Sequence, residues 1–358
     1  MRVLITGGAG FIGSHLVDFH LQRGDQVTAV DDLSTGNAAN LAPHSGNAAF
    51  KFEHADLLTW PGLDAAVAAS ERIYNMAAVV GMFRVLQEPV ETTRVNTFGC
   101  ERVMQAVIAA GHKPQVVQPS SSSVYGPAKY QDLHEEAPIM LSPDAPLLNY
   151  ALSKLSNEVQ GRAYYEKHGV PVVVARLFNT AGLRQAGLYG YVLPRFVQQA
   201  VSGVPLTVFG DGTQTRSFCD VRDTVAMLDL LAATPAAYGK VVNVGNAQEI
   251  RIIDLANLVR ERTHSASPLT FLSYEQAYGK SFAQIPQRRP ILDRLRELTN
   301  YQHRWSLTST VDWLYAHYRD ALAPASARKV ELVKQKAARP NRAQTQATIA
   351  PMQHCATA

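Results

Sequence analysis

The chain has 358 residues, of which 46% are hydrophobic and 18% charged, and its formal net charge is +4. This length and apolar content exclude a mini-protein and a wholly disordered chain, and they allow one large domain or two ordinary ones. The charge does not indicate nucleic-acid binding, because residues 322–358 carry +5 and the remainder carries −1. We expect that basic tail to be disordered, since it lacks apolar periodicity after Val333.

Short apolar runs alternate with helical patterns from residue 1 to residue 179. The runs lie at 3–5, 27–30, 50–52, 72–74, 116–117 and 170–175, and the longest helical patterns lie at 92–110 and 149–168. Continuously apolar, β-branched runs are typical of strands that are buried on both faces. Their alternation with helices predicts an α/β fold built on a doubly wound parallel sheet.

After residue 179, glycines and prolines become more frequent and the elements become shorter. We predict strands at 206–209 and 241–244, and helices at 192–202, 224–231 and 252–262.

Three cysteines, Cys100, Cys219 and Cys355, form no CxxC pair, so neither a disulfide framework nor a metal site is predicted. With no signal-peptide pattern and no membrane-length apolar run, we expect a cytoplasmic protein without a membrane partner.

Three glycines, Gly7, Gly10 and Gly13, follow the first predicted strand and open the first helix. Gly7 permits a tight turn, Gly10 lets the backbone approach a pyrophosphate, and Gly13 lets the helix pack close to the strand. The helix N-terminus then offers free N–H groups to the phosphates. The second predicted strand ends in Asp31 and Asp32, where an acid accepts hydrogen bonds from an adenosine ribose and repels a 2′-phosphate. This pattern predicts NAD rather than NADP.

A YxxxK pair, Tyr150 and Lys154, shares one face of a predicted helix. The ammonium can stabilise a phenolate and hold the nicotinamide ribose, so the tyrosine can act as a general base. Upstream, the serines at 120–123 follow a predicted strand at the edge where open α/β sheets bind ligands, and a serine there can bond the reacting sugar oxygen. A YxxxK pair on its own is most often a solvated helix face, and a run of serines on its own is an ordinary polar loop.

Together these motifs resemble those of the extended short-chain dehydrogenase/reductase family, in its nucleotide-sugar epimerase/dehydratase branch, over roughly residues 1–315. The resemblance implies a Rossmann-like NAD-binding domain at 1–179, to which the strand near 241–244 returns. It implies a smaller C-terminal α/β part at 180–315 that binds the nucleotide-sugar. It also implies that Ser121, Tyr150 and Lys154 are catalytic.

The family pattern implies further cofactor contacts. Asp56 and Leu57 match an adenine-contacting pair, Ala77 and Ala78 match a stretch that lines the cofactor, and Asn96 lies in the helix behind it. The residues implied for NAD are Gly7, Gly10, Phe11, Ile12, Gly13, Asp31, Asp32, Asp56, Leu57, Ala77, Ala78, Asn96, Tyr150 and Lys154.

The resemblance also implies a substrate site. Arg216 and Arg288 match arginines that pair with the diphosphate, for which a bidentate guanidinium is suited. Arg289 is an alternative to Arg288, because this segment is one residue shorter than the family pattern. The residues implied for the nucleotide-sugar are Ser122, Ser123, Asn179, Val192, Leu193, Thr207, Phe209, Arg216 and Arg288.

The residues beside Ser121 bear on the reaction. In 4,6-dehydratases of the family an Asp-Glu pair follows the catalytic threonine, and in UDP-glucuronate decarboxylases a glutamate stands two residues before the equivalent of Tyr125. Ser122 and Ser123 occupy these positions, which argues against a dehydratase and more weakly against a decarboxylase. We therefore predict NAD-dependent C4 epimerisation of a UDP-hexose of the UDP-glucose/UDP-galactose type, through a 4-keto intermediate.

Alternatives remain open. They are a UDP-glucuronate 4-epimerase or decarboxylase, a 4-ketoreductase, and a non-catalytic sensor, which is disfavoured because Tyr150 and Lys154 are both present. The hexose is not specified, although Arg184 and Arg195 are candidates to meet a C6 carboxylate.

The resemblance further implies a homodimer through the helices at 92–110 and 149–168. Val103, Val107 and Ala110 share one face of the first helix. That stripe either meets the partner or packs on the parent sheet.

Overall fold

The structure is a computed structural model, and it describes residues 1–126, 132–143, 145, 147–185, 191–278 and 285–322. The basic tail, except Leu322, lies outside these residues, so its disorder stays a prediction.

The strands of the described chain vary from two to seven residues in length. They are β1 (Arg2–Thr6), β2 (Gln26–Asp31), β3 (Phe50–His54), β4 (Arg72–Asn75), β5 (Gln115–Ser121), β6 (Asp132–Leu133), β7 (Val172–Leu177), β8 (Thr180–Ala181), β9 (Leu206–Phe209), β10 (Thr215–Ser217), β11 (Cys219–Asp220), β12 (Val241–Val244), β13 (Glu249–Arg251), β14 (Leu269–Leu272) and β15 (Arg289–Pro290).

The helices surround the strands, and four short 3₁₀ turns are described at Ala38–Asn40, Ala42–His44, Ser122–Tyr125 and Pro235–Ala237. The α-helices are α1 (Phe11–Gln22), α2 (Leu63–Ala69), α3 (Met82–Gln87), α4 (Pro89–Ala109), α5 (Leu148–His168), α6 (Val192–Val201), α7 (Val221–Ala233), α8 (Ile252–Thr263), α9 (Tyr274–Tyr278), α10 (Asp293–Thr299) and α11 (Leu307–Leu322).

A parallel sheet of seven strands forms the centre, in the order β12-β7-β5-β4-β1-β2-β3. The strand order reverses direction between β1 and β4, and ligands of open α/β sheets bind at the carboxyl ends beside such a switch point. The predicted doubly wound parallel sheet is confirmed. The predicted return of residues 241–244 is also confirmed, since β12 pairs with β7 along its whole length.

Both faces of the sheet are buried, and successive residues of β1 face opposite layers. Val3 and Ile5 pack in the cluster that contains residues of α1 and α7, whereas Leu4 packs in the cluster that contains residues of α2, α4 and α5. Val103 and Val107 are 0% and 1% exposed in this second cluster. The stripe on α4 therefore packs on the parent sheet, and the interpretation of these valines as a partner-facing surface is wrong.

A third hydrophobic cluster lies outside the sheet, where α6, α8 and α11 pack together around β9. Phe196, Leu255 and Leu314 are fully buried in it. This cluster lies within the segment assigned to the substrate-binding part, whereas α7 and β12 of the same segment pack with the central sheet. The division at residue 179 stays a prediction. Over the ranges described, no helix is long and apolar enough to cross a bilayer.

Candidate active site

A cavity of about 900 Å³ opens at the carboxyl ends of the central strands. It is at the upper end of the range for small-molecule sites, so it has room for more than one small ligand. Every residue predicted to contact cofactor or substrate lines it, except Asn96 and Thr207.

The glycine turn between β1 and α1 forms one wall of the cavity. Gly7 has a φ of +64°, and a Cβ there would come within 2.8 Å of the Ala77 backbone nitrogen. A Cβ on Gly13 would lie 2.1 Å from the Gly7 carbonyl oxygen, so α1 can approach the turn only with glycine at this position. Gly10 caps α1 without a side-chain bond and lines the cavity. The first turn of α1 therefore presents its backbone N–H groups to a ligand.

Asp31 fixes the start of the next loop. Its carboxylate accepts hydrogen bonds from the backbone N–H of Ala9 at 3.0 Å and of Leu33 at 2.8 Å. Burial raises the pKa of Asp31, and the neighbouring Asp32 carboxylate adds to the effect. Each carboxylate oxygen can accept more than one bond, so Asp31 keeps acceptor capacity toward the cavity.

A buried polar network joins the carboxyl ends of three strands. Thr6 donates to the Asn75 side-chain oxygen at 2.8 Å, and Asn75 donates to Gln118 at 2.9 Å. Thr6 in turn accepts from the Ala77 backbone N–H at 3.0 Å. The network fixes the backbone around Ala77. The network could not be predicted from the sequence, because its members lie on separate strands.

Asn96 lies behind the cavity rather than on it. Its side-chain oxygen accepts from the Val79 backbone N–H at 2.7 Å, and its nitrogen donates to the Val79 carbonyl and to Ser153, each at 3.2 Å. The prediction of a direct cofactor contact is not supported by this position. Asn96 instead ties the cavity-lining loop at Val79 to α4 and α5.

The predicted catalytic residues meet at the end of β5. Burial raises the pKa of Tyr150, and the nearby Ser121 side chain partly offsets that shift. The Lys154 Nζ lies 6.0 Å from the centre of the Tyr150 ring and donates to the Pro119 carbonyl at 3.3 Å. Burial lowers the pKa of Lys154 to about 8. All three residues line the cavity.

The serine turn after β5 is ordered by its own hydroxyls. The Ser123 backbone N–H donates to the Ser121 hydroxyl at 3.1 Å, and the two hydroxyls lie 3.2 Å apart. Ser122 is 4% exposed and also lines the cavity. The turn therefore presents a row of hydroxyl groups beside Tyr150.

A buried ion pair holds α5 against the sheet. The Arg176 guanidinium on β7 donates to both Glu158 carboxylate oxygens, at 2.8 and 2.7 Å, and Ser120 donates to Glu158 at 2.5 Å. Glu158 lies one turn beyond Lys154 on the same face of α5. That spacing is the sequence signal that could have revealed the ion pair, which we did not predict.

Five arginines line the cavity: Arg84, Arg184, Arg195, Arg216 and Arg288. The described lining residues also include four acids. They are Asp31 and Asp32 at the end of β2, Asp56 after β3, and Glu91 in the first turn of α4. Arg216 and Arg288 lie close enough for their charges to repel each other, and such a pair of cations is suited to an anionic ligand.

Arg216 and Arg288 are anchored by backbone carbonyls. Arg216 donates to the Ile285 carbonyl at 2.9 Å, and Arg288 donates to the Gly126 carbonyl at 3.3 Å. Burial lowers the pKa of Arg288 to about 10, with repulsion from Arg216 contributing. Arg289 is not among the lining residues and lies 3.9 Å from the Glu249 carboxylate. The structure therefore favours Arg288 over Arg289 as the residue that faces a ligand.

Thr207 lies outside the cavity and positions a residue that lines it. Its carbonyl accepts from Arg195 at 3.0 Å, and its hydroxyl and backbone N–H bond the Gln199 side chain at 3.0 and 3.1 Å. The predicted direct contact of Thr207 with the nucleotide-sugar is not supported by this position.

The model of the NAD dependent epimerase/dehydratase family matches residues 3–245, which is more than half of the chain. The chain belongs to this family. Members with solved structures contain bound NAD, and NAD is the cofactor of the family and of this chain. The glycine turn, the free N–H groups of α1 and the acceptor at Asp31 fit the pyrophosphate and the adenosine ribose of NAD.

Curated members of the family are similar over most of this chain. A UDP-N-acetyl-alpha-D-glucosaminuronate decarboxylase from Bacillus cytotoxicus is 31% identical over 317 residues, which cover 87% of this chain and 97% of the relative. A UDP-glucuronic acid decarboxylase 1 from Xenopus tropicalis is 34% identical over 288 residues, which cover 80% of this chain and 65% of the relative.

Solved members share the fold. A UDP-glucuronic acid 4-epimerase variant from Bacillus cereus, in complex with NAD and a fluorinated UDP-glucuronic acid, has a TM-score of 0.78 and 25% identity, and the match covers 90% of this chain and 100% of that one. A UDP-glucose 4-epimerase from Thermotoga maritima has a TM-score of 0.80 and 24% identity over the same shares, 90% and 100%. The short-chain dehydrogenase/reductase resemblance and the Rossmann-like fold are confirmed.

Proposed function

We propose that this protein acts at C4 of a UDP-linked hexuronic acid and releases CO₂ to form a UDP-pentose. The observation that carries the proposal is the presence of several arginines on the cavity wall. Arg216 and Arg288 suffice for a diphosphate, and Arg184 then remains for a further anionic group. A C6 carboxylate is that group in a uronic acid.

Arg184 has spare donor capacity. Its Nη2 pairs with Asp18 at 2.8 Å, whereas its Nη1 is buried and has no hydrogen-bond partner among the described residues. The adjacent Gln185 also lines the cavity and is 5% exposed. Two curated relatives whose names specify decarboxylation of UDP-linked uronic acids support the same substrate class.

Epimerisation of UDP-glucose, predicted from the sequence, is not confirmed, since the curated relatives favour the uronic-acid alternative. Ser123, which stands where decarboxylases of the family have a glutamate, does not exclude decarboxylation. A ketone at C4 lies β to the C6 carboxylate, and such an acid loses CO₂ without help from a side-chain carboxylate. The missing glutamate is therefore compatible with decarboxylation.

The residues around C4 have different roles in the proposed reaction. Tyr150 as phenolate takes the proton of the 4-hydroxyl, and Ser121 holds the same oxygen by a hydrogen bond. Lys154, when protonated, stabilises the phenolate and holds the nicotinamide ribose. NAD, when bound, supplies a reversible hydride acceptor beside C4. Arg216 and Arg288 hold the diphosphate, so that binding energy from the nucleotide positions the sugar.

The same residues serve the loss of CO₂. The C5–C6 bond breaks, and its electron pair moves into an enolate whose oxygen is O4. Ser121 and the now protonated Tyr150 donate hydrogen bonds to that oxygen, which stabilises the charge as an oxyanion hole does. C5 then takes up a proton from water, and Tyr150 returns its proton to O4 as C4 recovers the hydride that it gave up.

A second candidate is 4-epimerisation of the same uronic acid. It is favoured by the hydroxyl row at Ser121, Ser122 and Ser123, which, with Arg184, is suited to hold a carboxylate in its ionised form. A carboxylate that is stabilised by several bonds loses CO₂ more slowly. The match to a solved UDP-glucuronic acid 4-epimerase supports this alternative.

Product analysis tests the proposal and separates the candidates. Purified protein is incubated with NAD and either UDP-glucuronic acid or UDP-N-acetylglucosaminuronic acid, and the products are separated and weighed by mass spectrometry. Loss of one CO₂ supports decarboxylation, and an isomer of unchanged mass supports 4-epimerisation. Conversion of UDP-glucose with no reaction of either uronic acid would overturn the proposal.

We further propose a homodimer that buries the exposed faces of α4 and α5. Apolar side chains are exposed on both helices: Val90 (79%) and Phe98 (60%) on α4, and Leu152 (47%) and Val159 (63%) on α5. These residues, and not the buried Val103 and Val107, are the ones available to a partner.

A further inference from the structure

Asn243 on β12 is a fully buried asparagine at the edge of the central sheet, and the proposed reaction does not use it. Its side-chain nitrogen donates to the carbonyls of Leu133 at 2.8 Å and of Ile291 at 3.2 Å. Its side-chain oxygen accepts from the Tyr125 hydroxyl at 2.9 Å. Because carbonyls only accept hydrogen bonds, this arrangement fixes the direction in which the amide points.

The two bonds from the side-chain nitrogen of Asn243 anchor the segment that follows Arg288. Leu133 belongs to β6, which pairs with β15, and Ile291 comes directly after β15. The Ile291 backbone N–H also donates to the Leu133 carbonyl at 2.9 Å. Arg288 comes directly before the two-residue strand β15, so the anchored position of Ile291 restricts where Arg288 can lie.

Tyr125 connects the same asparagine to the serine turn. It is the last residue of the 3₁₀ turn that follows Ser121, and it is fully buried. Its hydroxyl lies 2.9 Å from the Asn243 side-chain oxygen and 3.1 Å from the His134 carbonyl. The end of the serine turn is therefore tied to β12 through Asn243.

These contacts close into a ring. Gly126, the residue after Tyr125, accepts a hydrogen bond from Arg288 through its carbonyl at 3.3 Å. The chain then runs from Arg288 to Ile291, and Ile291 is bonded to Asn243. A buried network whose members are paired is rigid, so the ring fixes the serine turn and Arg288 relative to each other.

We propose that Asn243 is a positioning residue that sets the distance between the serine turn and Arg288. The inference rests on the proposed function, in which Ser121 acts at C4 and Arg288 holds the diphosphate. A nucleotide-sugar spans both groups, so C4 reaches Ser121 only when the diphosphate is held at the right distance. A misplacement of about 1 Å can cost about 10²-fold in rate. Asn243 acts through its neighbours, since it does not line the cavity.

Calorimetric titration of the NAD-loaded protein with UDP tests the positioning of Arg288. We expect Asn243→Leu to weaken binding of UDP by about 5- to 50-fold. In an Arg288→Met background the same change should weaken UDP by less than about twofold, because the residue through which Asn243 acts is gone. Additive losses in the double variant would show that Asn243 does not act through Arg288, and they would overturn the inference.

Tyr125→Phe tests the other side of the ring, and it is the milder change should Asn243→Leu fail to fold. It removes one hydroxyl and leaves the bonds of Asn243 to Leu133 and Ile291 in place. With the nucleotide-sugar that the product analysis shows to react, we expect kcat to fall by about tenfold and UDP affinity to change by less than about threefold. A normal kcat would contradict the proposed positioning of the serine turn.

Asn246→Leu provides the matched control. Asn246 is also buried, and its side-chain oxygen accepts from the Gln248 backbone N–H at 2.8 Å, but it does not line the cavity or join the ring. We expect wild-type UDP affinity and kcat, and melting curves check that each variant folds. Binding of UDP does not depend on release of CO₂. The proposed reaction can therefore fail while the positioning role holds, and additive losses in an active decarboxylase would overturn the positioning role alone.

Discussion

Lys154 shows how the reaction and the stability of the protein conflict at a single residue. Its side chain is 4% exposed and its described hydrogen bond is to one carbonyl, that of Pro119. Burial lowers its pKa to about 8, so near neutral pH the folded protein holds a poorly solvated charge. The chemistry proposed for Tyr150 requires that charge.

We therefore expect Lys154→Met to abolish turnover and to stabilise the fold. The unfolded lysine titrates near 10.4, so between pH 8 and that value the unfolded state binds more protons and wild-type stability rises with pH. At about pH 7 the penalty is complete, and the variant should gain about 1–3 kcal/mol in free energy of unfolding. Urea unfolding at neutral and alkaline pH measures the difference in free energy of unfolding between the variant and the wild type. This difference should become smaller as pH rises.

The exposed Lys240 provides the control for that measurement. Lys240→Met should leave stability nearly unchanged at both pH values, because its ammonium is in water in both states. A loss of stability in Lys154→Met at neutral pH would contradict the view that this charge is unfavourable to folding.

We expect Tyr150 to contribute to the chemical step more than to substrate binding. Tyr150→Phe removes the hydroxyl that takes the 4-hydroxyl proton and should lower kcat by about 10²- to 10⁴-fold, with little change in KM. Steady-state kinetics with the UDP-uronic acid measure both constants. Tyr165→Phe, on the exposed side of the same helix, should retain wild-type kcat, and a Tyr150→Phe variant with normal kcat would exclude Tyr150 as the base.

At the scale of elements, α5 depends on the ion pair beneath it. Glu158→Ala would leave Arg176 buried and unpaired, and we expect a loss of about 3–5 kcal/mol in free energy of unfolding. Glu166→Ala, which removes an exposed partner of Arg162 on the same helix, should cost less than about 1 kcal/mol. Urea unfolding of both variants measures the difference, and equal losses would show that burial of the pair is not what stabilises α5.

The elements that could be predicted from the sequence are those whose hydrophobic pattern is determined by burial. The inner strands are mostly apolar because both faces of the sheet are covered there, and the predicted runs at 3–5, 27–30, 50–52 and 72–74 lie within their strands. The run at 116–117 covers two of the seven residues of β5, and the run at 170–175 begins two residues before β7. The two-residue strands β6 and β15 could not be predicted, because they pair across a long stretch of sequence and show no periodicity of their own. Asn96 and Thr207 are predicted to contact a ligand but lie outside the cavity lining, since sequence order does not distinguish a lining residue from one just behind it.

At the scale of the whole molecule, the exposed apolar residues of α4 and α5 predict self-association. Phe98→Glu should convert a homodimer into a monomer, because it places a charge in the interface we propose. Light scattering at micromolar concentration measures the mass, and Phe271→Glu, at another exposed aromatic, should leave it unaltered. A monomeric wild type would contradict the proposed dimer.

The return of β12 to the edge of the central sheet has a consequence for how the two parts of the chain can move. The polypeptide crosses between the sheet and the third cluster after β7, before α7, after β12, before α10 and before α11, so the two parts are connected several times. A fragment that stops at residue 179 would expose the backbone donors and acceptors of β7 along an apolar edge, and such edges promote aggregation. Opening of the cavity must therefore bend several chain crossings at once, which favours small, stiff displacements over the wide swing of a single hinge.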